Sequence, residues 1–302
     1  MTVCGVVSQV VGAKGVRELG PDERGRLFEQ ARELSQRQDA WAEADRLWVR
    51  VIDAYRQAVR DPGRADRRDH QQLARALWRR GMLLSARGRS AEAMAPGGKA
   101  VAIFERVYDA VAAEGGSVTA APRDDALAEL VTALVDLAEI AFSAGQPATR
   151  RDLLERAVAV GLTSAGDPPS AGPRTREAMG TAYHNQATAL LHRHLTRPSS
   201  ADGAQEAALA ASRACELRQG LLDLARPLTF WEMANTYGVY AQCLVLIGDL
   251  DRAAMVLAMG NRFVETLGPA AEVPAQKLRT ATEMLARERG GTTPRRWGWR
   301  RR

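Results

Sequence analysis

Two distant stretches of this 302-residue chain place three small residues at the same intervals: Gly81, Gly88 and Ala93, then Ala241, Gly248 and Ala253. In both, a glycine stands seven positions after the first small residue and an alanine five further on, inside runs of apolar residues at helical spacing. A small side chain lets two helix axes approach to about 8–10 Å, and glycine reverses the chain through a left-handed turn at little cost. The spacing therefore predicts paired antiparallel helices. A middle copy carries Ala138 and Gly145, with Ala157 in its second helix. Another keeps Asn185, Gln186 and Ala187 but replaces the short turn with a longer segment from Thr196 to Gly203. The first part of the chain, with Ala44 and Trp48, matches only loosely.

Turn-rich breaks divide the apolar pattern into blocks. They fall at Asp61-Pro62-Gly63, Gly115-Gly116, Asp167-Pro168-Pro169, Arg197-Pro198-Ser199 and Gly268-Pro269. Between them we expect hairpins at 21–60, 66–113, 123–164, 174–220 and 227–268, and a last helix at 273–289. Aromatics make up only 5% of a chain in which Ala, Leu and Arg recur throughout, so helix formers outweigh strand formers. Pro21, Ser90 and the pair Asp124-Asp125 read as helix starts, and Gly88, Gly145, Gly161 and Gly248 as helix ends. Pro96, within the second helix of the second hairpin, predicts a kink or a late start. This gives three regions: an N-terminal segment 1–20, a helical domain 21–289, and a basic tail 290–302.

The segment from Ala76 to Ala93, and its counterpart from Tyr237 to Ala253, resemble the first helix and turn of a tetratricopeptide (TPR) repeat. The resemblance covers residues 70–265. It implies an all-α fold, a right-handed α-solenoid of about five antiparallel helical hairpins plus a C-terminal capping helix. The copies are long: Gly81 to Ala138 spans 57 residues, Ala138 to Ala187 49, and Ala187 to Ala241 54, against about 34 in the standard repeat. The reading is thus of an extended-helix variant. In the family, the first helix of each hairpin lines a concave face. Transferred by offset, that face holds Arg75, Trp78, Arg79 and Met82, then Asp136, Glu139 and Phe142, then His184, Asn185 and Thr188, and finally Asn235 and Gln242. The surface so described is polar, mixed in charge and carries a few apolar anchors, which suits an extended peptide or a partner helix. It lacks the run of Lys, Arg and Asn used to clamp a chaperone's C-terminal carboxylate. The resemblance implies a protein- or peptide-binding scaffold, the adaptor or sensing component of a bacterial-type regulatory system, and not an enzyme.

Charge and cysteine usage narrow the alternatives. Of 42 Lys and Arg, five lie in the last eight residues (Arg295, Arg296, Arg300, Arg301 and Arg302), leaving 37 cations against 36 anions, so the body is nearly neutral. A nucleic-acid-binding body is not expected. The tail itself, where Trp297 and Trp299 join those arginines, is suited to weak contact with nucleic acid or anionic lipid. Cys4, Cys215 and Cys243 form no metal-type pair, and their odd number does not suggest a disulfide framework. With no signal-peptide pattern and no long uncharged apolar run, a cytoplasmic protein without a transmembrane segment is expected.

Chemical motifs are sparse. Gly97-Gly98-Lys99 ends like a phosphate loop, but Ala93 and Ala100 stand where that motif needs Gly and Ser or Thr. Asp124, Asp125 and Glu129 could serve metal chemistry, though acids charging the first turns of a helix is the favoured reading. His184, His192 and His194 share one predicted helix without a shared face for all three. The competing class is a helical small-molecule binder or enzyme built around His184 and Glu139. No cofactor is expected.

Overall fold

The structure, a computed structural model, describes residues 19–60, 66–114, 120–165, 171–197, 202–223 and 225–290. Eleven α-helices and no strand occur among the described residues. They run in order as α1 (Pro21–Ser35), α2 (Trp41–Ala58), α3 (Arg67–Ala86), α4 (Ser90–Ala113), α5 (Ala120–Ser143), α6 (Pro147–Ala165), α7 (Pro173–Thr196), α8 (Asp202–Gln219), α9 (Pro227–Leu246), α10 (Leu250–Leu267) and α11 (Glu272–Arg289). Successive helices pair into five hairpins, and α11 packs against both α9 and α10 as a cap. The hairpins stack as an α-solenoid.

The anticipated turns form by one repeated device. Gly88, Gly145 and Gly248 have φ of 75°, 74° and 81°. At each, the glycine N–H donates to the carbonyl three residues back (Ser85, Phe142, Val245) and the next N–H to the carbonyl five back (Leu84, Ala141, Leu244), at 2.8–3.1 Å. These bonds satisfy carbonyls that the helix end would leave open. A Cβ at Gly248 would meet nothing within 4 Å, so a substitution there suffers only from the backbone conformation. Gly248→Ala should therefore lower stability by about 1–2 kcal/mol, read as a shift in the urea midpoint at unchanged slope, with Gly248→Asn losing less.

The small residues sit where helices touch. Ala93, Ala138, Ala157, Ala187, Ala241 and Ala253 are fully buried, and a Cβ on Gly81 would lie 3.4 Å from the Ala93 carbonyl and 3.5 Å from the Gly97 nitrogen. Helices α3 and α4 thus meet backbone to backbone. The first hairpin, which lacks a glycine turn, is held by indoles instead. Trp41 Nε1 donates to the Ser35 carbonyl at 3.0 Å and Trp48 Nε1 to Ser35 Oγ at 2.8 Å. Trp48 also meets Phe28 edge to face, 5.0 Å between centroids. A continuous apolar core then runs from Phe28 in α1 to Leu285 in α11.

Four expectations need correction or placement. Gly161 does not end a helix; it lies inside α6, where a Cβ would fall 2.7 Å from Met179 Cε, so its smallness serves packing. Helix α4 starts at Ser90 and continues through Pro96, so there is no late start. Pro96 stands near the beginning of that helix, and its missing N–H costs one bond rather than the helix. Asp124 and Asp125 do not open α5, which begins at Ala120. Instead the Asp124 carboxylate reaches the next hairpin and accepts from the backbone N–H of Arg174 (3.2 Å) and Thr175 (3.0 Å), capping α7 across a repeat boundary. Gly172 makes this approach possible, since a Cβ there would sit 2.2 Å from the Asp124 carboxyl carbon. The tail expectation, on Arg295, Arg296, Trp297, Trp299, Arg300, Arg301 and Arg302, lies outside the described residues.

Candidate functional site: a groove along the first helices

A cavity of about 500 Å³ is lined from the first helix of all five hairpins. Helix α1 contributes Phe28 and Arg32, and α3 contributes Arg75, Trp78 and Arg79. Across from them stand Glu129, Thr132 and Asp136 on α5, Arg174, Glu177 and Thr181 on α7, and Glu232 on α9. Parallel first helices stacked side by side present the same helix face to one side, so residues one or two turns apart on each helix converge there.

Four of the transferred positions line this cavity: Arg75, Trp78, Arg79 and Asp136. The indole N–H of Trp78 donates to Asp136 Oδ2 at 3.0 Å, linking α3 to α5. Arg79, exposed, lies with its guanidinium 4.7 Å from the Trp78 ring centroid and makes no ion pair among the described residues. Burial pushes the Asp136 carboxyl up to about 6, against the pull of the Trp78 bond and the Arg79 charge. Arg75, by contrast, is not free to contact a ligand. Its Nε donates to Glu129 Oε1 at 2.7 Å and a terminal nitrogen pairs with the same oxygen, while Gln71 Nε2 donates to Glu129 Oε2 at 2.7 Å. Glu129, 9% exposed, is therefore a groove residue and not a helix-start charge.

The other transferred positions go elsewhere. Met82 is exposed on α3, beyond the cavity. Glu139 accepts from Arg150 at 2.8 Å, and that guanidinium stacks 4.3 Å from the centroid of Phe142. Phe142 borders a second cavity of about 510 Å³ between α6 and the C-terminal half of α7, with Leu154, Ala189, Leu190 and His192. Asn185 and Thr188 are half-buried, and the Thr188 hydroxyl donates back to the His184 carbonyl. Gln242 is buried and donates to the Lys277 carbonyl at 3.2 Å, tying α9 to the capping helix.

His184 and Asn235 are interior residues rather than groove contacts. Asn235 Nδ2 lies 3.1 Å from His184 Nε2, and Thr236 Oγ1 3.1 Å from His184 Nδ1. The Thr236 hydroxyl gives its one hydrogen to the Glu232 carbonyl at 2.9 Å. His184 must then donate from Nδ1 and accept at Nε2, which assigns a neutral ring. Burial holds the imidazole well below its ordinary range, and the nearby charges of Arg218 and Lys277 act the same way. Arg218 comes from α8, passes Gly180, and donates to the Glu232 carbonyl at 2.8 Å and to the hydroxyls of Thr236 and Thr181. His184 lines neither cavity and Glu139 is paired with Arg150, so the two do not form the joint centre that the enzyme reading required.

No protein-family model and no curated protein matches the sequence. Solved structures do. BtubC (BKLC) from P. vanneervenii superposes with a TM-score of 0.52 at 16% identity, over 93% of this chain and 94% of that one. The chain has a TPR-like helical-repeat fold. The TPR-like repeats of a putative kinesin light chain from Podosopora anserina also match, with a TM-score of 0.49 and 17% identity over 83% of this chain and 98% of that one. Among the described residues, no helix is long and apolar enough to cross a membrane.

Sequence reasoning missed part of the TPR-like groove. Phe28 and Arg32 lie in the hairpin with the weakest repeat pattern, and Glu177, Thr181 and Glu232 fall at offsets one or two turns before the transferred ones. The signal that could have found them is the helix period itself: Thr181 and Glu177 stand three and seven positions before the nominated His184, and Glu232 three before Asn235, spacings of one or two helical turns.

Proposed function

We propose that this protein is a protein-interaction scaffold, the adaptor component of a regulatory assembly, that holds an extended peptide segment in the groove along α1, α3, α5, α7 and α9. The observation that carries the reading is that a single cavity of about 500 Å³ draws its lining from every hairpin. A ligand spanning it gains contacts from each repeat, as recognition by repeated helices requires. The lining also mixes two aromatics with paired and unpaired charges, the make-up of a surface that grips side chains and main chain together. Binding rather than catalysis fits because the interior titratable group, His184, faces its own helical neighbours and not the cavity.

Filling the groove tests this. Thr132 lines the cavity from α5 and is half-buried, so Thr132→Tyr adds an aromatic ring to the passage while leaving room for it to tilt outward. Peptides selected from a random decapeptide display library on the full chain should bind Thr132→Tyr at least tenfold more weakly by fluorescence polarisation, with the thermal midpoint unchanged. Equal affinity for both proteins would remove the groove from the account.

A further inference from the structure

The ionic groups that line the groove are not balanced against one another. Of its arginines, Arg75 is tied to Glu129, Arg174 to Asp125 at 2.8 Å and Arg32 to Glu29 at 2.6 Å, so three of the four cations are already neutralised by acids of this chain. On the acidic side Glu129 has Arg75, and Glu177 has Arg226 at 3.0 Å. Two carboxylates are left over. Asp136 has a single hydrogen bond, from the neutral indole of Trp78, and no ion pair among the described residues. Glu232 makes no side-chain hydrogen bond or ion pair among the described residues; Arg218, behind it, is directed to the Glu232 carbonyl and to the hydroxyls of Thr181 and Thr236.

Both leftover carboxylates border the same cavity, Asp136 from α5 and Glu232 from α9, with α7 between them. Burial raises the pKa of each, so holding them charged works against the free protein. Arg79 acts on Asp136, and Arg218 and Arg226 on Glu232, without forming an ion pair among the described residues; charged groups kept in a cleft at such a cost mark a site whose counter-ion is supplied from outside. Trp78, bonded to Asp136, also borders the cavity, with Phe28 on α1 further along it, and these apolar surfaces suit the stem of a long cationic side chain. Arg79, stacked on Trp78 and without an ion pair among the described residues, offers donors to main-chain carbonyls of an extended ligand.

Resting on the groove reading above, we infer that the segment bound there is basic, and that arginine or lysine side chains of a partner protein enter the cavity to meet Asp136 and, beyond α7, Glu232. The chemistry expected of the partner is an extended segment with at least one cation, and with two where both carboxylates are engaged. Acidic segments are disfavoured, because their charges would face the two unpaired carboxylates and find the arginines other than Arg79 already occupied.

The test uses the full chain and the unbiased decapeptide selection, so that the two readings fail in different ways. Peptides insensitive to Thr132→Tyr defeat the groove. Groove-dependent peptides without enrichment of Arg and Lys defeat the present inference and leave the groove standing. Expected instead are groove-dependent peptides rich in Arg or Lys whose affinity falls at least tenfold in Asp136→Asn and again in Glu232→Gln; both substitutions keep side-chain size and should leave the fold intact. Retained affinity in the two variants overturns the assignment of these carboxylates. The chain's own C-terminal arginines are the competing source of the same charge. If replacing Arg295, Arg296, Arg300, Arg301 and Arg302 by glutamine raises affinity for an added basic peptide tenfold or more, the occupant is the tail and the assignment to a partner chain is overturned; unchanged affinity supports it.

Discussion

Arg75→Ala is expected to lower stability by about 3 kcal/mol, whereas Arg79→Ala, one residue-turn away on the same groove wall, should change it by less than about 0.5 kcal/mol. The difference lies in what each arginine leaves behind. Glu129 is 9% exposed and has Arg75 as its cationic partner, with only the neutral Gln71 amide beside it. Removing Arg75 strands a carboxylate between α3 and α5, and losing one partner of a buried pair costs about 3–5 kcal/mol. Because the Arg75 side chain is 31% exposed, the low end of that range applies. Losing Arg79 breaks no ion pair among the described residues; it withdraws a charge that favours the Asp136 carboxylate, but the Trp78 bond to Asp136 stays. Urea denaturation of the two variants checks this. Arg75→Leu combined with Glu129→Leu should recover most of the loss, as replacement of a whole ion pair by apolar groups commonly does. A loss below about 1 kcal/mol in Arg75→Ala would mean that water screens the pair and that it does not staple the groove walls.

The contrast between these two neighbours shows where the sequence could and could not be read. Gly81, Gly88 and Ala93, with their counterparts, fix hairpins because a left-handed turn and a close helix contact each admit few residue types. The hairpin limits, the glycine turns at 88, 145 and 248 and the buried alanines were therefore visible in the residues alone. Gly161 was misread since a helix-ending glycine and a helix-packing glycine look alike until Met179 is seen against it. Asp124 was assigned to the wrong helix for a similar reason: a cap is a short-range bond in space, and here it crosses from one hairpin to the next, 51 positions along the chain to Thr175. In the groove, offset alone located Trp78, Arg79 and Asp136 but also nominated His184, Asn235 and Gln242, which pack inward. Helix α9 is buried along most of its length between α7, α8, α10 and α11, so the same offset there faces neighbours rather than a free surface. Apart from Arg32, paired with Glu29 on its own helix, which groove arginine is paired and which acid is not depends on partners 49 to 58 positions away, and a single sequence carries no record of that.

Asp136→Asn should stabilise the free protein by up to about 3 kcal/mol at pH 7.5, and this gain should vanish on acidification. The Asp136 carboxyl is raised from 3.8 to about 6, by burial first, with Glu139 adding in the same direction and Trp78 and Arg79 opposing. A shift of about two units corresponds to roughly 3 kcal/mol between the charged and neutral forms. The folded state binds this proton more tightly than the unfolded chain. The destabilisation is therefore fully present above pH 6, shrinks as pH falls from 6 towards 3.8, and is gone below that range. Asparagine keeps an oxygen to accept from Trp78 but never carries the charge, so it removes the penalty without opening a cavity. His184 works in the opposite sense across a neighbouring window. Its pKa is held well below 6.5, so its contribution is complete above 6.5 and is lost as pH falls below it. The two effects overlap in the wild-type curve, and the measurement that isolates Asp136 is the difference in unfolding free energy between wild type and Asp136→Asn, taken from pH 4 to 8. A positive difference that grows through pH 4–6 and then levels off shows that the groove holds its carboxylate against the stability of the fold, as a residue awaiting an external cation should. A flat difference near zero would mean that water reaches Asp136 freely, and the case for a basic ligand would lose its energetic support.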